Sequence, residues 1–166
     1  PPAENKNQFI KNINKCIKEY SKLVKPYKLK LVASCIFDVD QLQNAKSLEI
    51  GCDKEFCTYQ MEVVDTDVDT FKKTNLRTAG GHIHLGSEVL MDGHVNYHHA
   101  IRLLDLFLGT VSIFVDHDST SRRRKAIYGK SGRYRTTSYG VEYRTPGNFW
   151  LASPKLVGLI YDICEF

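Results

Sequence analysis

The sequence predicts a mixed α+β domain, and three observations predict it. Apolar residues recur at helical spacing over residues 4–25 and 95–115, and Ser153-Pro154 opens a third helix that runs to Phe166. The stretches 28–37, 77–87 and 139–146 have the strand formers and two-residue periodicity of half-buried strands. A length of 166 residues suits a single domain, residues 1–166, with a core of its own.

In the first helix Phe9, Ile10, Ile13, Cys16, Ile17, Tyr20, Leu23 and Val24 recur at helical spacing, with lysines opposite, and Pro26 ends it. Residues 28–37 begin in strict alternation, and 38–50 read as a loop or short helix. In Ile50-Gly51-Cys52-Asp53-Lys54-Glu55-Phe56, Asp53 and Glu55 share parity, so an extended backbone presents two carboxylates on one face. Such a pair suits a hard cation or an amine substrate, and it is also common in exposed turns. Asp65, Asp67 and Asp69 are spaced like the start of a calcium loop. The central glycine and closing glutamate are missing, so a surface loop is expected over 60–75.

Arg77-Thr78-Ala79-Gly80-Gly81-His82-Ile83-His84-Leu85-Gly86 is the stretch with the most chemistry. On a strand, residues two apart share a face, so His82 and His84 point together beside Gly80 and Gly86, while Ile83 and Leu85 enter a core. Two imidazoles flanked by bare backbone are a metal-binding or catalytic pattern. Gly93 then leads into 95–115, whose Ala100, Ile101, Leu103, Leu104, Leu106, Phe107, Leu108, Val111 and Phe114 cover most of the circumference and predict burial. His94, His98 and His99 are expected at the surface or as caps, and Asp116-His117-Asp118 as a polar helix exit. Residues 119–137 mix glycines with cations and predict a flexible, positive loop able to wrap polyphosphate. Tyr128 and Tyr134 are interleaved as in single-strand nucleic-acid binders. The stretch is short, with no second aromatic platform, so nucleotide is favoured over nucleic acid. In Gly140-Val141-Glu142-Tyr143-Arg144-Thr145-Pro146, Glu142 and Arg144 share a face and Val141 and Tyr143 point to the core.

Composition is ordinary for a globular chain, 42% hydrophobic and 25% charged. No apolar run is read as long enough to cross a bilayer, no signal-peptide pattern is visible, and no membrane partner is expected. The chain starts Pro1-Pro2-Ala3 and stops at Phe166 inside an apolar pattern, so it is expected to be a piece of a longer polypeptide. Cys16, Cys35, Cys52, Cys57 and Cys164 form no Cys-x-x-Cys pair; Cys52 and Cys57 could meet, but reduced thiols in a cytosolic setting are expected. Net charge is +4, with eight lysines in the first thirty residues, read as a solvated helix face. A second basic set, Arg122, Arg123, Arg124, Lys125, Lys130, Arg133 and Arg135, suits phosphates.

Taken together, the imidazoles, the Glu/Arg pair, the acidic pair and the arginines suit transfer of phosphate from ATP to a carboxylate, followed by attack of an amine. Imidazole and carboxylate can hold Mg²⁺ or Mn²⁺. A metal-dependent hydrolase of the His-x-His kind needs many of the same parts.

Four motifs then carry a resemblance: Gly51–Phe56, Leu76–Gly86, the run Arg124…Tyr128-Gly129-Lys130-Ser131-Gly132-Arg133-Tyr134-Arg135, and Gly140–Pro146. In this order they resemble the phage-type carboxylate–amine ligases (amidoligases), relatives of glutamine synthetase and glutamate–cysteine ligase. The resemblance implies a curved antiparallel sheet with helices on its outer face, and a funnel with ATP at one end and amino-acid-like or peptide carboxylate and amine substrates at the other. It implies His82 and Glu142 as holders of Mg²⁺ or Mn²⁺. His84, Arg133, Arg135 and Arg144 fall at positions that contact ATP phosphates or the acyl phosphate; Arg123 and Lys130, from the basic set, are expected as further phosphate cations. Asp53 and Glu55 fall at the amine, although Lys54 stands where the family often has proline. Members carry a preceding segment with further acidic strands. The resemblance therefore implies that this chain is the C-terminal portion of such a domain, completed by a missing N-terminal segment of the same protein and inactive alone. It places the enzyme in the cytoplasm, the host's if phage-encoded. A non-catalytic phage structural or binding module in the virion is the alternative.

Overall fold

The computed structural model describes residues 3–48, 54–64, 74–91 and 94–166, without the side chains of Leu48, Met91, His94 and Val95. Helix α1, Lys6–Leu23, starts where the Asn5 side chain accepts the Gln8 amide at 3.0 Å. Next come β1 (Ser34–Ile36), a 3₁₀ turn (Val39–Leu42), α2 (Ala45–Leu48), β2 (Glu55–Cys57), β3 (Glu62–Val64), β4 (Leu76–Thr78) and β5 (Ile83–Gly86). After α3 (Glu88–Met91), one helical run comprises α4 (His94–Leu104), a π turn (Asp105–Gly109) and α5 (Thr110–Val115). The chain closes with α6 (Ser121–Ile127), β6 (Arg133–Thr137), β7 (Gly140–Tyr143), a 3₁₀ turn (Asn148–Ala152) and α7 (Pro154–Glu165). Ser153 caps α7 with Pro154 in its first turn, as the sequence predicts.

The architecture is α+β with antiparallel pairing throughout. Among the described residues, β1 and β4 form a two-stranded sheet, and five strands form a second in the order β3-β2-β6-β7-β5. The core lies on one face of the larger sheet. There Ile83, Tyr134, Val141 and Tyr143 meet Tyr97, Ile101, Leu104 and Leu108 of the long helical run and Val157 and Ile160 of α7. Helix α1 docks through Phe9, Ile10 and Ile13, with Phe9 stacked on Trp150 and Lys6 Nζ 2.5 Å from Asp162.

Several expectations change. The strand expected over 28–37 is only Ser34–Ile36, because its one partner among the described residues, β4, is three residues long. The stretch 77–87 is two strands in two sheets. The chain crosses between them at Gly80 and Gly81, where Gly80 bridges Gly147 and Gly81 donates its amide to Pro146 at 3.0 Å. The expected loop over 119–137 is instead α6 and β6, and that over 60–75 contains β3, with residues 65–73 and Cys52 and Asp53 outside the described residues. The helix over 95–115 is not buried all round: Leu103, Leu106, Ile113 and Phe114 are exposed, while Ile101, Leu104 and Leu108 face the sheet. That run is also, against expectation, long and apolar enough over Asn96–Val115 to cross a membrane by length and composition, with a mean hydropathy of 1.3. Its packing on the sheet accounts for the apolar side chains that are covered. Finally, His98 is half-buried, its Nδ1 3.0 Å from Thr58 Oγ1, rather than a surface residue.

Candidate functional site

Strand register gathers the charged side chains on the sheet face opposite the core. Glu142 is directly opposite Arg135 on one side and His84 on the other. Arg133 is opposite Cys57, and the Arg144 amide donates to the Arg133 carbonyl at 2.9 Å. Cross-strand partners share a face and residues two apart share a face. Glu55, Arg133, Arg135, Glu142, Arg144 and His84 therefore all stand on one wall, and Phe56, Tyr134, Val141 and Tyr143 on the other.

Arg144 is the hub, at 3% exposure. Its Nε donates to Glu55 Oε2 at 3.1 Å, its Nη1 to Glu142 Oε1 at 2.7 Å, and its Nη2 to the Tyr128 hydroxyl. Arg133 Nε lies 3.8 Å from Glu55 Oε1 and Arg135 Nη1 3.9 Å from Glu142 Oε2. His82, just before β5, brings Nδ1 to 2.6 Å from Glu142 Oε1, and its Nε2 is 3.4 Å from Tyr128 Oη. Burial, with the guanidiniums of Arg144 and Arg124, pushes His82 down to about 3, so the ring is neutral at pH 7. Glu142 does not reverse this, because Arg144 already compensates its charge. The hydrogen-bond pattern assigns the proton of the neutral ring to Nδ1, donating to Glu142, and leaves Nε2 to accept from Tyr128.

Arg124 braces this hub from α6. It is 1% exposed, donates to the carbonyls of Thr145 at 2.8 Å and Arg144 at 3.1 Å, and its guanidinium lies 5.2 Å from the Tyr128 ring centre. The Arg144 guanidinium lies 5.3 Å from the same centre. Gly129, at φ +75°, follows directly; a Cβ there would fall 2.1 Å from Arg124 Nη1. Glycine is what lets the chain pass over the guanidinium.

Four buried or half-buried guanidiniums thus meet two buried carboxylates, Glu55 and Glu142. Arg133 Nη1 is buried and has no acceptor among the described residues. Excess positive charge and an orphaned N–H suit an anion with several oxygens. Divalent metal fits less well. His82 and Glu142 adjoin, but the described residues assemble no group of three His, Cys, Asp or Glu able to hold an ion, and both glutamates are held by arginines.

Of the remaining candidates, His84 shares the wall and the others are dispersed. His84 is exposed, its Nδ1 2.7 Å from Tyr139 Oη. Arg123 Nε donates to Ser34 Oγ of β1 at 3.2 Å. Lys130 is exposed, and its carbonyl accepts from Thr145 Oγ1 at 3.0 Å. Asp53 lies outside the described residues. The sequence counts Arg124 among phosphate cations and Tyr128 among loop aromatics, not as a buried brace and a bridge, and it assigns no role to Tyr139. The signal for the first two was a cation and an aromatic four residues apart at a helix end, followed by glycine.

A family model described as "Phage phiEco32-like COOH.NH2 ligase-type 2" matches residues 71–165, more than half of the chain. That span contains His82, Arg124, Tyr128, Arg133, Arg135, Glu142 and Arg144. No curated protein and no solved structure matches.

Proposed function

From the chain's membership of the phage phiEco32-like COOH–NH2 ligase type 2 family, we propose an ATP-dependent amide synthesis through an acyl phosphate. The observation that carries this reading is the guanidinium-rich wall around Arg144, which has more positive charge than Glu55 and Glu142 neutralise.

A substrate carboxylate oxygen attacks the γ-phosphorus of ATP; the bond to the β–γ bridging oxygen breaks and ADP leaves. The free base form of an amine then attacks the acyl carbon, inorganic phosphate leaves with the C–O bond pair, and the amine proton passes to solvent. Arg135 and Arg133 face the transferring phosphoryl oxygens, where forked donors stabilise charge as it develops. Arg144 fixes both glutamates and through them the two flanking arginines. His84, exposed on the same wall, reaches the outer phosphates, with Arg123 and Lys130 toward the nucleotide's far end. Glu55 is held by Arg144 and Arg133, so its part is to position arginines; gripping the amine falls to Asp53. Where magnesium or manganese accompanies ATP, His82 and Glu142 would be the residues to hold it and the ion would offset phosphate charge; no step above runs through it. The reaction belongs in the cytoplasm, the host's if the chain is phage-encoded.

The test is release of ADP and phosphate by the intact natural protein with pools of carboxylates and amines. Arg135→Gln is expected to lower kcat by about 100-fold or more. Absence of nucleotide turnover with every pool, together with steeply salt-dependent binding of DNA, would replace the ligase reading with a binding module.

A further inference from the structure

β5 is the outer strand of the larger sheet: among the described residues it pairs with β7 alone. An outer strand presents a row of main-chain N–H and C=O groups to whatever lies alongside. Beside it runs a groove of about 810 Å³, walled by Phe9 and Ile13 of α1, Leu85 of β5, Trp150, and Ile160 and Tyr161 of α7. His82 and His84 line the same groove and also stand at the charged wall, so groove and charged cluster are continuous. Nothing in the phosphate chemistry uses the apolar part.

We propose that the carboxylate substrate is the C-terminal end of an extended peptide, which adds to β5 as an antiparallel strand with its apolar side chains in this groove. The inference rests on the ligase reading and gives it a substrate class. Three features select this occupant. A main-chain edge selects an extended backbone. Apolar walls select aliphatic or aromatic side chains at alternate positions. Strand direction selects the carboxyl end: β5 runs from Ile83 to Gly86, so an antiparallel peptide ends beside His82, which lines the groove and lies 2.6 Å from Glu142, at the margin of the wall whose surplus guanidinium charge attracts a carboxylate. The four residues of β5 span roughly 13 Å, enough to register about four peptide residues.

The test uses the intact protein and a synthetic six-residue peptide of alternating valine and threonine ending in phenylalanine with a free carboxylate, beside its C-terminally amidated twin. Hydrogen exchange at the amides of residues 83–86 is followed without nucleotide, and ADP release is followed separately. The free-acid peptide is expected to slow exchange at β5 at least tenfold and to bind at least tenfold more tightly than the amide. Unchanged exchange at β5, or equal binding of the two peptides, overturns the inference. If free amino acids support ADP release while β5 exchange stays unchanged, the ligase reading stands and the peptide inference falls. If the free acid protects β5 and outbinds its twin but no acid supports ADP release, the peptide site stands and the ligase reading falls.

Discussion

At the scale of single residues, Arg144 and Tyr128 hold the wall together. Arg144 cannot be removed alone: without it, Glu55 and Glu142 are buried carboxylates that have lost their closest cation, a change that costs about 3–5 kcal/mol in comparable buried pairs. Tyr128→Phe is milder. It deletes the hydroxyl between Arg144 and His82 and is expected to lower stability by about 1–2 kcal/mol in urea unfolding, with the fold intact. His82 supplies a pH signature. Its folded pKa, about 3, lies below the unfolded value of 6.5, so between those limits the unfolded chain binds the extra proton. Stability from this group is complete above pH 6.5 and falls as pH drops toward 3, by at most about 1.4 kcal/mol per pH unit. His82→Gln is expected to flatten that part of the profile; identical pH slopes for the two proteins would mean the ring is not held neutral. The parity of Glu142 and Arg144, and that of Glu55, was legible in the sequence, because alternation in a strand is local. Tyr128 as a bridge was not, because its partners are 16 and 46 residues away.

At the scale of elements, legibility follows how local each cause is. Asn5 and Ser153 cap their helices from within a few residues, and both helices were readable. Helix α6 was hidden because its seven residues are mostly cations followed by Gly129, a loop composition; only the inward turn of Arg124 reveals its role. The length of β1 depends on β4, more than thirty residues away in the chain. The long helical run was readable as a helix but not in its orientation, since nothing local tells Leu103 from Leu104. That orientation is open to measurement. Leu104→Ala is expected to cost about 2–5 kcal/mol and Leu103→Ala under about 0.5 kcal/mol in denaturant unfolding. Equal costs would contradict the packing described. The crossing at Gly81 is just as specific: a Cβ there would lie 2.3 Å from the Gly147 carbonyl and 2.4 Å from Trp150 Nε1, which donates to the Gly81 carbonyl. Gly81→Ala is expected to destabilise by about 1–3 kcal/mol and to open the packing that keeps His82 from water, visible as a raised His82 pKa by NMR.

At the scale of the whole molecule, one sheet divides two environments. Its inner face is packed by the long helical run and α7; its outer face gathers opposed charges from β2, β6, β7 and the approach to β5. Pairing four strands in one register makes a wall of groups that lie up to 89 residues apart in the chain. The chain belongs to a carboxylate–amine ligase family, and the chemistry proposed for this wall is capture of a carboxylate as a mixed anhydride with phosphate. The central claim is tested by following an oxygen atom. The intact protein is given ATP, an amine and an acid whose carboxylate is labelled with ¹⁸O, and the released phosphate is weighed by mass spectrometry. The account expects ADP and inorganic phosphate carrying one ¹⁸O from the acid for each amide formed. Unlabelled phosphate alongside amide, or AMP and pyrophosphate in its place, would contradict it.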